Sequence, residues 1–90
     1  MGNKRHRPHR LITERPRDVI RALNKICYKS GVMKGDDLAL IPTCPLSKER
    51  NRKIVTIPVG RKELLTSTLE YILRNADVST QEFLDLRYER

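Results

Sequence analysis

Ninety residues leave room for one domain, and a chain near this size buries only about 60% of its unfolded surface, so any core has to be compact. Apolar side chains make up 38% of the residues and charged ones 33%, enough for one well-patterned core. The net charge of +8 favours a polyanionic partner, nucleic acid ahead of membrane, and no apolar run reaches the roughly 18 residues a bilayer span needs.

Residues 1–12 carry Lys4, Arg5, Arg7 and Arg10, with almost no apolar content up to Arg10, and read as a flexible basic arm ahead of a folded domain at 13–90. No apolar stretch follows these charges, so a secretory signal is not expected and a cytoplasmic location is. From Arg17 to Tyr28 the residues Val19, Ile20, Leu23, Ile26 and Cys27 fall on one helical face. Pro16 suits the first turn, Thr13 is a candidate cap, and Gly31 is a candidate left-handed exit. Val32-Met33 and Leu38–Ile41 read as short strands around the turn Lys34-Gly35-Asp36. Residues 42–52 hold two prolines and several charges and read as a loop. Ile54–Val59 is rich in β-branched residues and reads as a third strand, with Pro58 at its end or on an edge. Ser67-Thr68-Leu69-Glu70 has the form of a capping box ahead of the stripe Leu69, Ile72, Leu73 and Ala76. Ser79-Thr80-Gln81-Glu82 repeats the form, with Val78 and Phe83 spaced as a hydrophobic staple, so a last helix starts at Thr80. The expected fold is α+β in the order α-β-β-β-α-α: a three-stranded antiparallel sheet with helices packed on one face.

Two segments hold all the excess charge. Residues 1–17 sum to +5, and so do residues 48–62, through Lys48, Arg50, Arg52, Lys53, Arg61 and Lys62 against Glu49. The second group brackets the third strand, where cations can contact phosphates across a groove, as shape-reading RNA binders do. The aromatic residues are few, and Tyr28, Tyr71 and Phe83 are expected in the core, which argues against base stacking. Two cysteines are too few for a disulfide scaffold. Cys27 is expected as a small core residue and Cys44 in a loop. His6 and His9 beside them match no standard zinc spacing, so neither metal nor cofactor is expected.

Arg17-Asp18-Val19-Ile20, Leu23 and Tyr28, then Lys34-Gly35, then Ile54–Pro58, then Lys62-Glu63-Leu64 with Thr68-Leu69, Ile72-Leu73 and Ala76, and finally Ser79 with Glu82-Phe83-Leu84 form a series over residues 15–86. In that order they resemble the HicA family of toxins. The resemblance implies a fold like the double-stranded-RNA-binding domain, metal-free binding and cleavage of mRNA, and control by a HicB-type antitoxin. The family's motif after the glycine turn is Gly-Ser-His, with the histidine catalytic. Here the three positions read Gly35-Asp36-Asp37, so Asp37 stands at the candidate catalytic position.

That exchange changes the chemistry. Metal-free RNA cleavage needs a base for the 2′-hydroxyl and an acid for the leaving oxygen, and histidine, with a pKa of about 6.5, serves both. An aspartate, near about 3.9 unperturbed, is a weak base at neutral pH and no acid. The expected function is therefore binding of RNA or another nucleic acid without cleavage, with Lys34, Gly35, Lys48, Arg50, Arg52, Lys53, Arg61 and Lys62 as the binding residues. Two alternatives stand beside it: an active HicA-type mRNA interferase with altered catalysis, and a protein–protein module for an acidic antitoxin-like partner.

Overall fold

The computed structural model describes residues 8–44 and 51–88. The chain runs α1 (Pro16–Asn24), β1 (Tyr28–Lys34), β2 (Asp37–Pro42), β3 (Val55–Pro58), α2 (Thr66–Ala76) and α3 (Thr80–Tyr88). The three strands form one antiparallel sheet in the order β1-β2-β3. This is the expected α+β fold, with the α-β-β-β-α-α order intact. Among the described residues no helix is long and apolar enough to cross a membrane.

The alternation along each strand decides which side the helices cover. Tyr28, Leu40, Val55 and Ile57 are buried against Val19 and Leu23 of α1, Leu69, Ile72, Leu73 and Ala76 of α2, and Phe83 and Leu84 of α3. Each fully buried side chain of the size of leucine or phenylalanine is worth about 1.5–3 kcal/mol relative to exposure. Asp37, Ala39 and Ile41 alternate with Leu38 and Leu40, so they stand on the side away from the helices. Leu11, assigned from sequence to the arm, packs against this core.

Several local expectations change. The first helix ends at Asn24, not near Tyr28. Cys27 takes the left-handed backbone conformation, at φ 69°, and turns the chain so that Tyr28 can open β1. Gly31, the expected exit residue, lies inside β1 instead. Cys27 is half-buried and bonded to Cys44 as a disulfide, with Cα atoms 5.6 Å apart, so it is not the small core residue expected, while Cys44 does lie in the loop after β2. Thr43 reinforces the tie, its N–H and hydroxyl donating to the Cys27 carbonyl at 2.9 and 2.7 Å. Helix α1 has Arg15 at its N-cap and no side-chain cap, so Thr13 does not fill that place.

The two capping-box patterns part ways. Helix α2 starts at Thr66 after Leu65, which places Ser67 and Glu70 inside it and leaves the end without a side-chain cap. At Ser79 the box is real. The Ser79 N–H donates to Glu82 Oε1 at 3.0 Å, and the Glu82 N–H donates to Ser79 Oγ at 3.1 Å. Val78 and Phe83 are both buried beside it, as a staple requires.

Candidate nucleic-acid interface

The sheet end that carries the glycine turn is stitched to the segment after β3. Gly35 occupies the left-handed region at φ 59°, where a side chain would be strained. The turn it makes presents the Asp36 carbonyl, which accepts the N–H groups of Val59 at 2.8 Å and Gly60 at 3.3 Å. A Cβ on Gly60 would lie 2.9 Å from Asp36 side-chain carbons, so glycine is what lets the two turns touch. Lys34 and Gly35 therefore share one rim of the molecule with Arg61 and Lys62.

A second crossing brings in the N-terminal segment. The Leu64 N–H donates to the Glu14 carbonyl at 2.7 Å, and the Glu14 N–H returns a bond of 3.3 Å to Leu64. This antiparallel bridge lays the start of α1 beside the turn after β3. Between them is an open cleft of about 380 Å³, lined by Arg15, Pro16, Arg17, Ile20, Val59, Arg61 and Lys62. Among the described residues, four cations and no carboxylate line it. Among the described residues none of the four makes an ion pair.

Two acidic groups near the cleft in sequence, Glu14 and Asp18, are bound elsewhere, and Glu63, beside Lys62, is exposed and does not line it. Glu14 is buried, 4% exposed, and takes a hydrogen bond from Arg87 Nε at 2.8 Å and from the Tyr88 hydroxyl at 2.6 Å. Arg87 Nη2 also reaches Asp18 at 3.2 Å, and the guanidinium lies 4.6 Å from the Tyr88 ring centre. Burial works against the charge on Arg87, but the Glu14 bond and the carboxylates of Glu14 and Asp18 outweigh it and raise its pKa. For Tyr88, burial and then the Glu14 bond push the hydroxyl up to about 12. Arg87 and Tyr88 belong to α3, which does not line the cleft.

The binding residues expected from sequence are thus divided. Lys34, Gly35, Arg61 and Lys62 gather at one end of the sheet. Arg52 and Lys53 sit before β3, at its other end, about 13 Å away at 3.3 Å per residue. Arg52 is half-buried, and its Nε donates to the Ala76 carbonyl at 3.0 Å, satisfying a C-terminal group of α2. The Lys53 backbone bonds Asn75 at 2.9 Å and receives the Tyr28 hydroxyl at 2.6 Å. The expected group of six cations on one surface does not form from these. Lys48 and Arg50 lie outside the described residues, as do residues 1–7 of the basic arm.

Asp37 opens β2, paired with Lys34 on one side and Pro58 on the other. It is exposed, so the burial that would adapt a carboxylate to base chemistry is not there. Tyr71, expected in the core, is 64% exposed on α2, and no aromatic side chain lines the cleft.

Arg15 and Arg17 were not singled out from sequence as binding residues, although a signal was available. Both flank Pro16 at the start of a helix, where the backbone dipole disfavours cations. Two arginines in that place are locally unfavourable. No protein-family model matches this chain, and neither does any curated protein.

Proposed function

We propose that this protein binds nucleic acid, RNA first, along its phosphate backbone and without cutting it. The observation that carries the reading is the cleft in which Arg15, Arg17, Arg61 and Lys62, from segments more than 40 residues apart, make no ion pair among the described residues. Such cations position a strand without reading its bases, and the lack of an aromatic lining fits sequence-tolerant binding. The resemblance to HicA toxins favours RNA over DNA. The exposed Asp37 in place of the family's histidine favours binding without cleavage.

A cytoplasmic site of action belongs to the same reading. The Cys27–Cys44 bond works against it, since disulfides in most cytosolic proteins are transient or redox-active. A second reading, a module for an acidic HicB-like partner, draws on Val32, Met33, Ile41 and Ile54. These four large apolar side chains are exposed on β1, on β2 and just before β3.

A salt titration with labelled RNA tests the proposal. Each phosphate neutralised contributes a slope of about −0.7 to −0.9 in log K against log salt, so the four cleft cations give a slope near about −3. The RNA stays intact, and Asp37→His is the variant in which cleavage is sought. Affinity unchanged between about 50 and 200 mM salt removes the phosphate contacts and with them this reading.

A further inference from the structure

We propose that the cleft seats a terminal phosphate monoester, the phosphorylated end of a nucleic-acid strand, in preference to an internal phosphodiester. This rests on the nucleic-acid reading above and moves from the polymer to the particular phosphate it offers.

Charge is the first argument. Arg15 and Arg17 from one wall and Arg61 and Lys62 from the other face a cleft with no carboxylate in its lining. An internal phosphodiester brings one negative charge. A terminal monoester carries about −1.5 to −2 at neutral pH and offers three acceptor oxygens, so it answers a four-cation site more completely. Of the carboxylates in this region, Glu14 and Asp18 are held by Arg87, and Glu63, next to Lys62, is exposed outside the lining.

Shape is the second. The two walls are joined where Glu14 and Leu64 cross, through paired backbone hydrogen bonds. The lining spans only a few residues beside that crossing, room for one phosphate and its sugar and not for a run of several. The volume, about 380 Å³, is at the small end of the range of about 300–1,000 Å³ in which small ligands are held. Ile20 and Val59, both partly buried, give the sugar an apolar wall. With no aromatic side chain in the lining, a base has nothing to stack on, and the phosphate is the group that is recognised.

The test uses the full chain and one single-stranded RNA sequence in three forms: 5′-phosphorylated, 3′-phosphorylated and hydroxyl at both ends. Binding is followed by fluorescence anisotropy, with inorganic phosphate as competitor. One phosphorylated form is expected to bind about tenfold tighter than the hydroxyl-ended strand, the scale of an added charge-assisted contact. Arg61→Gln with Lys62→Gln erases that preference and lowers affinity for all three forms, while thermal stability stays in place. Arg15→Gln with Arg17→Gln does the same from the opposite wall, should the first pair fail to fold. Equal affinity for the three forms overturns this inference and leaves the nucleic-acid reading standing. No binding of any form overturns both, and binding of inorganic phosphate alone overturns the assignment to a strand end.

Discussion

The two ends of β3 carry the same kinds of residue and put them to opposite uses. Before the strand, Arg52 reaches back to the last turn of α2 and bonds its Ala76 carbonyl. After it, Arg61 and Lys62 stand exposed beside two further arginines with no carboxylate in the lining. Arg87 extends the contrast on α3, where its guanidinium is engaged by Glu14, Asp18 and the Tyr88 ring. A cation occupied by the protein's own acceptors has little left for a ligand. Charge counted along a sequence is therefore not charge available on a surface. Among the described residues, Arg61 and Lys62 face such a cleft, while Arg52 is spent on the Ala76 carbonyl.

Substitutions that treat both classes alike in chemistry separate them in effect. The largest loss is expected for Arg87→Met. It leaves Glu14 buried without its cation, and breaking such a pair costs about 3 kcal/mol even allowing for partial exposure of the arginine. For a domain of this size that lowers the melting temperature by more than about 10 °C, read by circular dichroism. A smaller effect separates Arg52→Gln from Arg61→Gln. The first costs about 1–2 kcal/mol through the lost bond to Ala76 and leaves RNA affinity where it was. The second stays within about 0.5 kcal/mol in stability and weakens RNA binding several-fold. If Arg52→Gln is the variant that loses RNA, the division between structural and free cations is wrong.

The smallest effect shows only in alkali. Tyr88 is held neutral to about 12 in the folded chain, against about 10 in an unfolded one. Its contribution is complete below pH 10 and is lost as pH rises toward 12, because the unfolded state gives up the proton first. Tyr28, buried and bonded to Lys53, is also raised and loses stability in the same direction. Tyr88→Phe is expected to flatten this decline in denaturant unfolding followed across that range. An unchanged decline would assign it to Tyr28.

Much of the fold was legible because local rules and tertiary packing agree. Leu69, Ile72, Leu73 and Ala76 are spaced for one helical face and are all buried. Ser79 and Glu82 form the reciprocal bonds their spacing suggests. Where the two levels conflict, packing decides. Ile26 and Cys27 continue the periodicity of α1, yet the disulfide and the left-handed turn at Cys27 belong to the strand that follows. Ser67 and Glu70 have the right spacing for a cap, but the helix begins two residues before that cap would start it, at Thr66. Tyr71 is apolar in composition and faces outward, since the core side of α2 is already filled by its neighbours Ile72 and Leu73. For the site, the sequence displayed Arg61 and Lys62 but not their partners. Arg15 and Arg17 join them through one bridge between Glu14 and Leu64, and nothing local to either segment announces it.

That bridge also ties recognition to the order in which the chain acquires its structure. It closes a loop of some fifty residues, and such closures are entropically costly and come after local contacts have formed. The two walls of the cleft meet only once that loop has shut. An anion spanning both walls grips only the finished protein and draws the folding equilibrium toward it.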